Sequence, residues 1–111
     1  IESLARMGGG AGRSIDELRG RRVHAVAGTG SPERFFAALS GHGLDVQPHP
    51  FPDHHRYERS DFSAMRDAPI VMTEKDAVKC LDIPLDDAWY ARAVIELDAG
   101  FDDKLIELLK I

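Results

Sequence analysis

The chain has 111 residues, enough for one domain with a modest core and too few for a two-domain enzyme. Its 14 basic and 19 acidic residues leave a net charge of -5, the wrong sign for a protein that grips nucleic acid through phosphate contacts. No apolar run approaches the roughly 18 residues of a membrane span, and the single cysteine, Cys80, excludes an internal disulfide and fits a reducing compartment.

Ile1 to Met7 alternates polar and apolar residues and reads as a short strand; with Ile1 in place of an initiator Met, it suggests a piece of a longer protein. Gly8 to Gly12 then breaks regular structure. Gly8 to Ser14 has a superficial likeness to a phosphate-binding loop, but the G-x-x-x-x-G-K-[ST] spacing fails and Arg13 stands where Lys is required. Residues 1–13 are therefore expected to be a linker strand and a glycine-rich hairpin or loop ahead of a domain over 14–111.

Ser14-Ile15-Asp16-Glu17 is a capping box, predicting a brief helix to Leu18 that Gly20 ends. Val23 to Ala27 is apolar on both faces except for His24, as a buried parallel strand should be, and His24 reads as a satisfied core histidine. After Gly28-Thr29-Gly30, Ser31 as N-cap and Pro32 at the first helical position start a helix whose Phe35, Phe36 and Leu39 face one side, with Gly41 and Gly43 as stops. Glu33 occupies the place of the third glycine, so this is a tight strand-to-helix turn and a weak dinucleotide fingerprint.

Leu44 and Val46 alternate with polar neighbours, and Pro48 and Pro50 confine that strand to an edge. Ser60 or Asp61 is expected to cap a short helix holding Phe62 and Met65. Pro69 to Thr73 is the next buried strand, and Ala77, Val78 and Leu81 are expected to form the inner face of the helix after it. Tyr90 to Leu97 reads as a fourth core strand, and Phe101, Leu105, Leu108 and Leu109 as a closing helix.

Strands alternating with helices predict an α/β domain: a small, open, mostly parallel sheet with helices on both faces and right-handed crossovers. Numbered along the chain, the four core strands are expected in the order 2-1-3-4. Ligands of such sheets bind outside the carboxyl ends of the strands. Those ends carry Gly28 to Ser31, the dense Phe51-Pro52-Asp53-His54-His55-Arg56-Tyr57 run and Thr73 to Asp76, which read as walls of one site.

Gly30-Ser31-Pro32-Glu33-Arg34-Phe35-Phe36, the Phe51 to Tyr57 run and Met72-Thr73-Glu74-Lys75-Asp76-Ala77-Val78-Lys79-Cys80 together resemble the tetraacyldisaccharide 4'-kinases, the lipid A 4'-kinases of Gram-negative bacteria. The similarity runs from about Ser14 to Lys110 and includes Trp89-Tyr90; Thr29, Ser31 and Arg92 are small departures from the family's pattern. The resemblance implies transfer of the ATP γ-phosphate to the 4'-hydroxyl of a tetraacyldisaccharide 1-phosphate at the cytoplasmic face of the inner membrane. It also implies that this is the family's carboxyl-terminal part, partnered by an N-terminal phosphate-loop domain that binds most of the ATP and Mg2+. Alone, the chain is expected to fold, to hold no metal and to be inactive. With Asp102, Asp103 and Glu107 against Lys104 and Lys110, the closing helix is too acidic for an anionic lipid surface, so membrane contact is expected to be peripheral.

In that setting His54, with His55 as the weaker candidate, would orient or tune an acidic base across an interdomain cleft. Holding the loop by hydrogen bonds is the alternative role for Asp53 and the histidines. Lys75, with Asp53, Thr73 and Asp76, forms the candidate substrate- or anion-binding set. A capping-box-like helix start explains Thr73 and Asp76 structurally, whereas Lys75 in a first helical turn opposes the helix dipole. Cys80 and Tyr57 read as packing residues and Trp89 as a cap on the last strand. Two other classes compete: a metal-dependent phosphohydrolase using Asp53-His54-His55 with His49 as a further ligand, and a non-catalytic module binding an anion or a partner.

Overall fold

The computed structural model describes residues 3–28 and 32–91. In them the chain runs β1 (Ser3–Arg6), β2 (Arg13–Ser14), a 3₁₀ turn (Ile15–Leu18), β3 (Arg22–Ala27), α1 (Pro32–Gly41), β4 (Asp45–Pro50), a second 3₁₀ turn (Arg59–Phe62), β5 (Ile70–Thr73), α2 (Glu74–Lys79) and β6 (Ala88–Ala91). The described strands form one sheet in the order β2-β1-β6-β5-β3-β4.

β3 sits inside because its side chains from Val23 to Ala27 are all apolar or, at His24, internally bonded, and every one is buried. It pairs in parallel with β4 on one side and β5 on the other, and β5 pairs in parallel with β6. The four parallel strands thus stand in the order expected. The sheet differs in carrying two more strands: β1 runs antiparallel along β6, and β2 antiparallel along β1. An open β6 would present unpaired backbone groups, and the opening segment supplies the partner. Residues expected to form a linker strand therefore enter the sheet, with Leu4 buried in its core.

Successive β3 residues point to opposite faces and so seed two core layers. Val23 and Ala25 pack with Leu39 of α1 and with Ile15 and Leu18, while Val26 packs with Tyr57, Phe62, Met65, Met72, Ala77 and Cys80. Helices thus cover both faces. The Ser14 capping box is present, with the Ser14 amide donating to the Glu17 carboxylate at 2.8 Å. β4 lies at the edge of the described sheet, the position in which Pro48 and Pro50, having no amide N–H to donate, are tolerated.

Two local expectations are corrected. The second 3₁₀ turn is capped two or three residues earlier than expected, at Glu58, because the Asp61 carboxylate reaches back to accept the Glu58 amide at 2.8 Å instead of capping forward. On α2 the inward stripe is Asp76, Ala77 and Cys80, so Val78 and Leu81 are 65% and 72% exposed. Burying Asp76 fixes the rotation of the helix and turns those two apolar side chains outward. Thr29, Gly30, Ser31, the Tyr90 to Leu97 strand beyond Ala91 and the closing helix lie outside the described residues.

Candidate functional site

Because β3, β4 and β5 are parallel, their carboxyl ends share one edge of the sheet. Gly28 follows β3, Phe51 to Tyr57 follows β4, and Thr73 begins α2 directly from β5. The Phe51 amide donates to the Ala27 carbonyl at 2.9 Å, extending the β3–β4 pairing into the turn.

A single carboxylate joins these three turns. Asp76 is fully buried. It accepts the Gly28 amide at 3.0 Å and the Tyr57 hydroxyl at 2.9 Å, and it also accepts the Thr73 hydroxyl. Thr73 Oγ1 in turn accepts the Asp76 amide at 3.1 Å, the expected N-cap. A Cβ on Gly28 would stand 2.6 Å from the Tyr57 hydroxyl and 3.2 Å from an Asp76 oxygen, so only glycine allows this approach. Burial, reinforced by the hydrogen bond to Asp76 and its negative charge, pushes the Tyr57 phenol far above its usual range, so it stays a donor. The buried Cys80 thiol is raised to about 12, by burial and then by Asp76 and Asp61, and is an inert packing residue as expected.

The Phe51 to Tyr57 turn alternates direction. His55 points inward, bonded to Asp61 Oδ2 at 3.0 Å and stacked on Phe51 with ring centroids 4.7 Å apart. Burial works to raise the Asp61 carboxyl, but its bond to His55 and the Glu58 amide outweigh that and hold it below the usual carboxylate value. His54 points outward, 91% exposed, with a left-handed φ of 63°. That conformation costs most side chains about 1–2 kcal/mol. Here Asp53 accepts the His54 amide at 3.1 Å and its second oxygen lies 3.7 Å from His54 Nε2. The result is an exposed imidazole beside a carboxylate, a pair able to take up, release or orient a proton.

The structure therefore brings Gly28, Tyr57, Thr73 and Asp76 together and leaves Asp53, His54 and Lys75 at the surface of the same edge. Asp76 spends its oxygens on protein donors, so it serves the site from beneath. The Lys75 side chain makes no hydrogen bond or ion pair to another described residue. Among the described residues, no three metal-ligating side chains converge. The Asp53-His54-His55 run cannot chelate as the hydrolase alternative requires, since its two histidines face opposite ways and His55 is bonded to Asp61. His49, the further ligand in that alternative, lies instead 2.9 Å from His24, which also bonds Asp67 at 2.6 Å. Gly28 was expected in one wall of the site, but its amide bond to Asp76 and the role of the Tyr57 hydroxyl were not; the available signal was a phenol in an apolar setting, which needs a polar partner.

Fold and edge define an α/β domain of the open, mostly parallel class, with its polar turns gathered where such sheets meet their ligands. The family model described as tetraacyldisaccharide-1-P 4'-kinase matches residues 4–110. The tetraacyldisaccharide 4'-kinase of Azoarcus sp. (strain BH72) is 50% identical over 93 residues, 84% of this chain and 27% of that protein. That of Xanthomonas campestris pv. campestris (strain 8004) is 48% identical over 111 residues, 98% of this chain and 31% of that protein. No solved structure matches the chain. The chain belongs to the tetraacyldisaccharide 4'-kinase family and spans about a third of the length of the curated relatives it matches.

Proposed function

We propose that the protein to which this chain belongs is a lipid A 4'-kinase, transferring the γ-phosphoryl group of ATP to the 4'-hydroxyl of a tetraacyldisaccharide 1-phosphate. The family match across residues 4–110 carries this reading. ATP and Mg2+ would be held by the rest of the protein: the described residues contain no converging set of metal ligands, and the buried Asp76 oxygens are already engaged. This chain would form one wall of the cleft. Its exposed His54 would orient, or exchange a proton with, the acidic group that activates the attacking hydroxyl, while Lys75 and Asp53 flank the substrate. No helix of the described residues is long and apolar enough to cross a membrane. Contact with the cytoplasmic face of the inner membrane, where a lipid substrate is presented, is proposed as peripheral for this part.

The outward placement of His54 and the inward bonding of His55 favour different roles for the two side chains. The test is steady-state phosphorylation of tetraacyldisaccharide 1-phosphate by the full-length protein. His54→Asn tolerates a left-handed backbone and deletes the imidazole; it should lower kcat and kcat/KM together by about 10²–10⁴-fold with an unchanged melting temperature. His55→Ala should keep most of the activity and lose about 1 kcal/mol of stability with its bond to Asp61. Equal small effects of both variants would remove His54 from the reaction, and a wild-type protein that transfers no phosphate to this acceptor would overturn the kinase reading.

A further inference from the structure

The turn carrying His54 is fastened on its carboxyl-terminal side by two inward residues. His55 bonds Asp61, and Tyr57 reaches the buried Asp76 while its ring stacks on Phe62 with centroids 5.8 Å apart. On the amino-terminal side, Phe51 is bonded to Ala27, and the Pro52 carbonyl lies 3.3 Å from where a Gly28 Cβ would be. Inward anchors surround one outward side chain. Packing alone would not require a hydroxyl at residue 57, since a phenylalanine ring fills the same space among Phe51, His55 and Phe62. What the hydroxyl adds is a fixed direction toward Asp76, and Asp76 also fixes Gly28 and the first turn of α2.

We propose that Tyr57 and Asp76 are positioning residues for His54: the buried hydrogen bond between them sets where the outward imidazole stands relative to the Gly28 turn and to the start of α2. The proposal rests on the kinase reading for its catalytic consequence, but its geometric content does not. An imidazole on an exposed turn must be held within a fraction of an ångström to share a proton productively, and that precision comes from the supporting contacts beneath it. Tyr57 is buried, and it acts through the backbone of the turn. With the phenol pushed far up, Tyr57 remains the donor of this bond throughout the neutral range.

Tyr57→Phe in the full-length protein deletes the hydroxyl and keeps the ring. It should lower kcat about 10-fold, leave KM for both substrates unchanged and add no further loss in a His54→Asn background, because both changes act through one group. Losses that multiply in the double variant, or a full kcat in Tyr57→Phe, would overturn the proposal. So would a kcat loss that disappears when temperature is lowered in step with the melting point. A second readout does not depend on turnover: the ring resonances of His54 by NMR, and hydrogen exchange of the Gly28 amide, should both change in Tyr57→Phe. Unchanged His54 resonances would overturn the positioning role even in an active enzyme. Shifted resonances in a protein that transfers no phosphate would uphold the tether and sink only the kinase reading.

Discussion

Two buried polar centres lie along β3, and they solve the same problem in opposite ways. Near the start of the strand, His24 is 4% exposed and lies between the Asp67 carboxylate and His49, with Asp67 also paired to Arg22 at 3.0 Å. Beyond its end, the fully buried Asp76 is surrounded by neutral donors: an amide, a phenol and an alcohol. The first centre places its carboxylate at the surface, where solvent shares the charge. Among the described residues no cation is bonded to the second, which relies on converging dipoles, as buried carboxylates without a counterion must. The first centre thus responds to pH through His49 and Asp67, whereas the Asp76 centre is vulnerable to losing a donor. Only the second lies at the edge where the site is proposed.

The sharpest way to break this contrast is to empty the second centre. Asp76→Ala would strand the Gly28 amide and the Tyr57 hydroxyl in the interior and leave the half-buried Thr73 hydroxyl without its acceptor. At about 1–3 kcal/mol for each buried group left unpaired, the loss should reach roughly 3 kcal/mol or more in urea unfolding, enough to unfold a marginal domain. A loss below about 1 kcal/mol would mean that water replaces the carboxylate and that the centre is not dry.

A smaller but more local effect is expected from Gly28→Ala. The added methyl meets the Tyr57 hydroxyl at 2.6 Å and the Pro52 carbonyl at 3.3 Å, so Tyr57 or the Pro52 turn must move. Overpacking of this kind typically costs about 1–3 kcal/mol. If the contact is as close as the geometry says, combining it with Tyr57→Phe, which removes the nearer atom, should recover part of that loss. Strict additivity of the two changes would contradict the contact.

What the sequence made legible follows from range. β3 and β5 announce themselves by apolar residues on both faces, and the Ser14 and Thr73 caps by residues two or three positions away. Local patterns of this kind hold because backbone and side chain are close in sequence before anything folds. The links that build the site are not local: Tyr57 finds Asp76 across 19 positions, Gly28 finds it across 48, and His24 finds Asp67 across 43. Asp76 read as one half of a local helix start, because a polar residue at that position is explained by capping and nothing nearby demands burial. The same blindness misplaced Val78 and Leu81: an apolar stripe suggests an inner face, but the buried carboxylate two positions before Val78 sets the rotation. The three turns could be assigned to one edge from strand order alone, whereas the inward and outward senses of His55 and His54 required the turn itself.

The most gradual effect belongs to the His24 centre and is read by pH. Burial, and then the charge of His24, lowers the His49 value below the ordinary 6.5. An unfolded chain therefore takes up a proton at residue 49 before the folded one does, and stability must fall as pH drops from about 6.5 toward the folded value. Asp67 acts lower down: its bond to His24, aided by Arg22, depresses its carboxyl below 3.8, so its contribution is intact above that value and is lost as pH falls through the folded one. Asp61, depressed at the His55 bond, adds to this second window. His49→Gln can still offer an N–H to His24 but cannot titrate. Its urea midpoint should therefore vary less than wild type between pH 6.5 and pH 4.5, while both proteins fall alike in stronger acid. Identical curves throughout would place the neutral-range titration elsewhere, and a lost second window in His49→Gln would mean that the histidine pair, rather than Asp67 and Asp61, controls acid unfolding.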